Sequence, residues 1–543
     1  MNSFSVKLVD FSSVNSFSAL AVDYLSSAEG LKQFQSFDFS NEGFADAIEA
    51  RKKKPVDRNV LIEVLRKQYS KLENGISSSD KTQKNIDLLG KATTFTVSTG
   101  HQLNIFTGPV YFIYKIISAI NLSVSLKQRF PQYDFIPVYW MASEDHDLEE
   151  INHIHLFGKK IEWKPEGKGA SGRTSSKGIP AVISNLKELF QNHNSTDRLL
   201  KLFSTAYNEK NNLTEATRII IHELFSEFGL VTLNADDPLL KKLFRSEMED
   251  DAINHTSFKL VEETVRELEK KYKAQVHPRE INLFYLRENF RERIVEEAGT
   301  FKVLNSELKF SREELINEIK NKPELFSPNV VLRPLYQEKV LPNIAYVGGP
   351  AEISYWLQYK KMFEYYHAYL PVLVHRNCVM VMDSASREKL KKLGLSAEDI
   401  FLNEEDLVKK YLKKNSPGGF SIDALLNKTD SLFNDAINEI NAVDPTLKAT
   451  AEAEKQKMLN SLKGLDERIR RAEKKKNETA LNQLRKLKEK FFPDNKLQER
   501  YENILSFYSK FGDDFLKVLI QNLDPFEKKF ILLMEDAGDE VAN

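Results

Sequence analysis

The feature that most constrains this chain is a pair of apolar, strand-like runs flanking one long helical-period segment between residues 92 and 155. Thr94-Phe95-Thr96-Val97-Ser98 carries the β-branched and aromatic residues of a strand and runs into Thr99-Gly100. From about Pro109 to Leu126, Val110, Ile113, Ile117, Ile120 and Leu122 recur at helical spacing while Tyr111, Lys115 and Asn121 fall outside the stripe, which predicts an amphipathic helix. Phe135-Ile136-Pro137-Val138-Tyr139-Trp140-Met141-Ala142 then reads as a second strand. Strand, helix, strand implies a right-handed parallel crossover. Ligands of such sheets bind beyond the carboxyl ends of the strands. Two polar stretches leave those ends, Ser98-Thr99-Gly100-His101-Gln102 and Ser143-Glu144-Asp145-His146-Asp147, and they are the first candidates for a site. Gly100, Thr107 and Gly108 suit a backbone that passes close to a ligand, and Pro109 suits the first helical turn. An anion at the helix start is the expectation.

At 543 residues the chain exceeds one ordinary core, so a large domain with insertions and at least one satellite is expected. Lys and Arg total 78 against 79 Asp and Glu, a balance that gives no reason to expect a nucleic-acid partner. One cysteine excludes a disulfide framework and a cysteine-rich metal site and suits a reducing compartment. The first residues lack the basic-then-apolar plan of a secretory signal, and no apolar run is long enough to span a bilayer. The expectation is a cytoplasmic protein without a membrane partner.

Several further groups invite a chemical reading. Glu149 and His153 have the spacing of a two-point metal pair if a helix runs through them, although no zincin motif is present, and no protein metal site is assigned. Glu144, Asp145 and His146, nearest the strand end, are the expected contacts to a substrate amine or nucleotide. Arg333, read as following a strand and preceding Pro334, is placed to hold a substrate carboxylate. Tyr346-Val347-Gly348-Gly349-Pro350 reads as strand then tight turn, with Glu352 in the helix behind it. Arg51-Lys52-Lys53-Lys54 is read as solvated surface and Gly167 to Arg173 as a flexible connection, since the latter lacks the ending and flanking strand of a P-loop. Cys378, embedded in an apolar run, is read as a core residue. Met458, Leu462, Leu465, Ile469 and Ala472 alternate spacings of four and three, a short coiled-coil seam.

The phrases Thr99-Gly100-His101-Gln102, Thr107-Gly108-Pro109, Tyr114-Lys115 and Ala142-Ser143-Glu144-Asp145-His146-Asp147 resemble the cysteine-adding ligase family of bacillithiol biosynthesis. Ser327 to Pro334 and Tyr346 to Ile353 agree with it. The resemblance implies an α/β fold, a Rossmann-like parallel sheet similar to class I aminoacyl-tRNA synthetases, with two inserted segments and an α-helical coiled-coil domain. In those synthetases a histidine-bearing loop at the same junction contacts ATP phosphates. This chain departs from them in having one histidine there and no lysine-methionine-serine-lysine signature.

On that basis residues 1–150 are expected to hold an N-terminal helical segment and the first half of the core, 151–229 a first insertion, 230–263 a core return, and 264–328 a second insertion. Residues 329–385 complete the core, 386–510 form the coiled-coil domain and 511–543 a C-terminal segment. The implied activity joins the cysteine carboxyl to the amine of glucosaminyl-malate, with ATP as cosubstrate, Mg²⁺ arriving with it, and a homodimer formed through the coil. His101, Asp145 and His146 are the expected catalytic residues. Thr99, Gly100, Gln102, Thr107, Gly108, Glu144, Arg333, Gly348, Gly349 and Glu352 are the expected binding residues. The alternatives are another synthetase-like nucleotidyltransferase or amide ligase, or a non-catalytic coiled-coil scaffold.

Overall fold

The computed structural model describes residues 3–72, 80–191, 194–415 and 422–536, so the end of the expected C-terminal segment, 537–543, lies outside the described residues. The chain divides into two compact units. The first comprises Met1–Ser12, Ser16–Met380 and Lys496–Leu533, and the second Ser13–Asn15, Val381–Asn495 and Met534–Asn543.

The first unit is built on a parallel sheet of β1 (Thr94–His101), β2 (Asp134–Met141), β3 (Val231–Asn234), β4 (Asn343–Gly348) and β5 (Val372–His375), in the order β5-β4-β1-β2-β3. β1 is buried from Thr94 to Thr99, so its hydroxyls need partners inside the protein, and Thr96 and Thr99 find them while Thr94 Oγ1 has none among the described residues. Thr96 Oγ1 reaches Asn343 Oδ1 (3.1 Å) and Thr99 Oγ1 donates to the Val347 carbonyl (2.8 Å), both across to β4. Register brings His101 level with Met141 and Met141 level with Asn234, while Gly348 lies beside His375, so the carboxyl ends emerge along one edge. The chain leaves β1 toward β2 and leaves β4 toward β5, in opposite directions. The β1/β4 boundary is therefore the place where a crevice is expected to open.

α1 (Tyr111–Arg129) carries the chain from β1 to β2, beginning two residues later than Pro109. The predicted amphipathic stripe is corrected: every residue from Phe112 to Ile120 is buried, Lys115 included, because the helix is covered on nearly all sides.

Other readings change as well. Val330 to Pro334 is not a strand; α2 (Leu332–Val340) begins there, and the strand that precedes it is Phe326–Pro328. Arg333 thus stands in the first turn of a helix. Val379–Met382 lies outside the parallel sheet, in a three-stranded sheet with Phe4–Val9 and Phe530–Glu535. The helix through Glu149 ends at Ile151 and His153 opens a strand, so the helical spacing behind a Glu149/His153 pair does not exist. Arg51 is buried, donating to the Leu341 carbonyl (2.8 Å), which removes it from the solvated run. In the expected flexible connection, the Ser171 and Gly172 amides donate to the Asp145 and Ser143 carbonyls (2.6 and 2.7 Å), tethering it to the loop after β2. The second inserted region holds a five-stranded antiparallel sheet, of which Leu283–Arg287 and Phe290–Glu297 form one hairpin.

In the second unit, Ile422–Val443 and Lys448–Lys476 pack on one another as a helical hairpin, with Lys455 reaching back to Asp430 (2.7 Å). Met458 and Leu465 of the predicted seam remain 46% exposed.

Glu338 on α2 is buried; its Oε1 accepts from Gln337 and Asn343, while Oε2 has no partner among the described residues. Burial, opposed by Arg51, raises its pKa from 4.5 to about 7. The folded state then holds a proton that the unfolded chain releases, so stability falls as pH rises from about 4.5 through 7. Glu338→Gln is expected to flatten that decline by up to about 3 kcal/mol. Urea unfolding of both proteins at about pH 5 and 8 checks this, and parallel pH dependences would exclude it.

Candidate functional site

A crevice opens at the β1/β4 boundary. It is lined by Gly100, His101 and Gln102 from β1 and its exit, by Gly349 and Glu352 at the start of α3 (Pro350–Trp356), by Arg333 and Gln337 of α2, and by Arg376 and Arg500. The cavity between these walls has a volume of about 250 Å³, just below the ~300–1,000 Å³ usual for small-molecule sites.

Its two sides are joined by one ion pair. Lys115, 1% exposed, projects from α1 and places Nζ 2.7 Å from Glu352 Oε2. The same ammonium donates to the Gly100 carbonyl. Glu352 in turn accepts from the Tyr346 hydroxyl (2.7 Å) and from the Gly349 amide (2.8 Å), closing the turn after β4 from its helical side. Burial pulls the Lys115 pKa down from its ordinary value and Glu352 opposes this. A Cβ added at Gly100 would stand 3.3 Å from the Tyr346 hydroxyl, so a side chain there would press on this network.

His101 stacks on Phe112 with ring centroids 4.6 Å apart, and its Nε2 is buried without a partner among the described residues. Burial, then Lys115 and Arg376, push its pKa well below the ordinary value, so the ring is neutral at physiological pH. Arg376 is gripped by Glu499 through two bonds of 3.0 and 2.7 Å, which leaves its buried Nε without an acceptor among the described residues. Glu352 thus pairs with Lys115, Glu499 with Arg376, and Asp145 faces Arg333 at 3.8 Å. Arg500, near the Tyr111 ring at 5.9 Å, has no carboxylate within ion-pair reach among the described residues. The crevice therefore carries surplus positive charge and polar atoms awaiting partners, as an anion site should.

The loop between β1 and α1 is strained. Phe106, Thr107 and Gly108 have φ of 51°, 70° and 62° in succession, and a Cβ at Gly108 would meet Asn104 Cβ at 2.6 Å. The returning segment holds it: Asn503 Nδ2 donates to the Phe106 and Gly108 carbonyls (2.8 and 2.6 Å), and the Val110 amide donates to the Glu502 carbonyl (2.8 Å).

At the end of β2, Asp145 accepts from Gln102 Nε2 (3.3 Å) and lies against Arg333. Burial alone would raise its pKa, but Arg333, Arg291 and Gln102 outweigh burial and hold it below the usual carboxylate value. His146 Nδ1 lies 2.7 Å from Arg291 Nη1. A guanidinium can only donate, so Nδ1 accepts and, in the neutral ring, the proton sits on Nε2. Glu144 is occupied elsewhere, paired with the fully buried Lys241.

The structure thus brings Gly100, His101, Gln102, Arg333, Gly349 and Glu352 to one crevice, with Asp145 and His146 beside it. Thr99, Thr107, Gly108, Glu144 and Gly348 frame the site without lining it; Gly348 accepts from the Arg376 amide (2.9 Å). Sequence reading missed the roles of Lys115, Arg291, Arg376, Glu499 and Arg500. A lysine on the long apolar helix and an arginine between two apolar runs, Val372–His375 and Val379–Met382, were the available signals.

Glu352→Ala would leave Lys115 Nζ, the Tyr346 hydroxyl and the Gly349 amide without their shared acceptor. A loss of about 3 kcal/mol in chemical denaturation is expected, and a change under about 1 kcal/mol would show that the pair does not hold the site together.

Residues 5–377 match the family model described as the N-terminal Rossmann-like domain of bacillithiol biosynthesis BshC, and residues 379–535 match its C-terminal coiled-coil domain. Relatives carrying the name "Putative cysteine ligase BshC" occur in Flavobacterium johnsoniae, 38% identical over 95% of this chain and 97% of the relative, and in Christiangramia forsetii, 38% identical over 97% and 98%. One from Salinibacter ruber is 30% identical over 93% of this chain and 94% of its own length. The chain belongs to the BshC family of bacillithiol biosynthesis, with its Rossmann-like and coiled-coil domains both present.

Proposed function

We propose that the protein is an ATP-dependent ligase that joins the carboxyl group of cysteine to the amino group of glucosaminyl-malate. The observation that carries this reading is the β1/β4 crevice, where surplus positive charge, His101 Nε2 and Arg376 Nε, both without partners among the described residues, and close-approaching backbone at Gly100 and Gly349 converge. The relatives' name, a cysteine ligase, supports the choice of carboxyl substrate.

Amide formation in water requires an activated carboxyl. A cysteine carboxylate oxygen attacks a phosphoryl group of ATP, displacing pyrophosphate to give an adenylate or ADP to give an acyl phosphate. The sugar amine then forms the C–N bond as the C–O bond to the phosphoryl oxygen breaks, AMP or phosphate departs, and the amine's proton passes to the departing phosphate or to water. In this scheme Gly100 to Gln102, the His101 ring and Arg376 Nε meet phosphate oxygens, where fixed donors stabilise developing charge. Asp145, held ionised, accepts from the amine and orients it, while His146, its Nδ1 engaged by Arg291, serves as a donor rather than as a base. Arg333 holds a spectator carboxylate. Mg²⁺ arriving with ATP needs only one or two protein carboxylates, and no group of three or more His, Cys, Asp or Glu forms a metal cage among the described residues.

The same reading has a second copy covering Met458 and Leu465 on the hairpin and the protein working in the cytoplasm; no helix among the described residues is long and apolar enough to cross a membrane.

Purified protein incubated with cysteine, glucosaminyl-malate, ATP and Mg²⁺, with single omissions, is expected to yield a cysteinyl conjugate by mass spectrometry only when ATP is present, together with AMP or ADP. No conjugate from folded protein and sound substrates would overturn the reading in favour of another amine substrate or a scaffold. His101→Ala is expected to lower kcat by about 10²- to 10³-fold with its fold intact. An unchanged rate under chemistry-limited conditions removes the phosphate role from His101.

A further inference from the structure

Two guanidinium groups converge beside the crevice on a single carboxylate. Arg291 projects from Phe290–Glu297 in the second inserted region and is 4% exposed. Its Nε donates to Ser327 Oγ (3.1 Å), its Nη1 to His146 Nδ1 (2.7 Å), and its plane lies over the Phe284 ring at 3.8 Å. These contacts fix the group in place and leave Nη2 without an acceptor among the described residues. Arg333 lines the crevice, and its guanidinium makes no hydrogen bond among the described residues; its one ion pair is the 3.8 Å approach to Asp145. Arg291 feels Arg333 as a repelling neighbour and Asp145, Glu144 and Asp236 as attracting ones, but Glu144 is already paired with Lys241 and Asp236 with Arg173 and Lys241. One carboxylate, Asp145, therefore answers two largely buried cations. The surplus is one positive charge, with Arg291 Nη2 and the whole Arg333 fork left to donate, an arrangement that receives carboxylates.

We infer that Arg291 and Arg333 form a receptor for the malyl carboxylates of the amine substrate, and that Arg291 is a specificity-determining residue supplied by the second inserted region. The inference rests on the ligase reading above and adds which substrate the pair recognises. Chemistry divides the candidates. The cysteine carboxyl is the reacting group and must meet a phosphoryl centre, so clamping it between two guanidinium groups would oppose its own activation. The malyl carboxylates do not react and are free to stay paired throughout. Binding energy from such a remote, non-reacting part of a substrate can position the amine for attack.

The test compares glucosaminyl-malate with methyl glucosaminide, which offers the same amine without carboxylates, in wild type, Arg291→Gln and Arg291→Lys of the full chain. The readout is the ratio of kcat/KM for the two amines, with calorimetric binding of glucosaminyl-malate alongside it. Arg291→Gln is expected to lower the ratio by about 10- to 100-fold, the value of a charge-assisted bond. Arg291→Lys, which keeps the charge and loses the fork, is expected to give an intermediate ratio; it also serves if the glutamine variant fails to fold. Equal losses with both amines would make Arg291 a structural residue and overturn the receptor while leaving the ligase reading intact. A rise in the KM for ATP with the ratio unchanged would assign the pair to phosphate and overturn it as well. Wild type that neither binds nor consumes glucosaminyl-malate would remove the ligase reading, and the receptor with it.

Discussion

Everything at the crevice depends on how the protein accommodates one ammonium group in its interior. Lys115 is 1% exposed in a helix whose neighbouring residues are apolar, and an unpaired charge there would be prohibitively costly. Glu352 answers it, and because that carboxylate also accepts from Tyr346 and Gly349, neutralising the lysine fixes the turn after β4. The lysine's bond to the Gly100 carbonyl fixes the exit of β1 at the same time. The two loops that flank the point where the winding reverses are thus locked together by electrostatics as well as by strand pairing.

A second constraint comes from the returning segment. Gln498 to Asn503 supplies Glu499 to Arg376, Arg500 to the crevice wall, and Asn503 to the strained loop at Phe106 to Gly108. Three successive residues at positive φ are uphill for any chain that contains Phe and Thr there. They persist because the carbonyls they expose have a fixed amide donor. The site is completed only when a segment about 400 positions later in sequence docks, as the 397-residue span of the Phe106 to Asn503 bond states directly.

The resulting surface has a division of labour that follows from charge pairing. Arg376 and Lys115 are neutralised internally and hold shape, Arg376 keeping only its Nε for a ligand. Arg500, Arg333 and Arg291 are under-neutralised and remain available to ligands. His101, kept neutral by burial and by neighbouring cations, can donate a hydrogen bond to an anion without adding to the repulsion.

Read alone, the sequence determined the strand, helix, strand unit, the parallel sheet it implies, the polar loops at its carboxyl edge and the family, because these rest on local periodicity and on contiguous phrases such as Thr99 to Gln102. It also marked Arg333 and Glu352, whose turns are local. It misjudged Arg51 and Lys115, since a cation looks solvated until its distant partner is known, and it missed Arg291, whose strand alternates charged residues like an exposed one. Only the tertiary structure decided which carboxylate meets which cation: Lys115 with Glu352, 237 positions apart, and Arg376 with Glu499, 123 apart. The physical reason is that desolvation and pairing are set by neighbours in space, and those neighbours come from segments whose sequence separation carries no local signal.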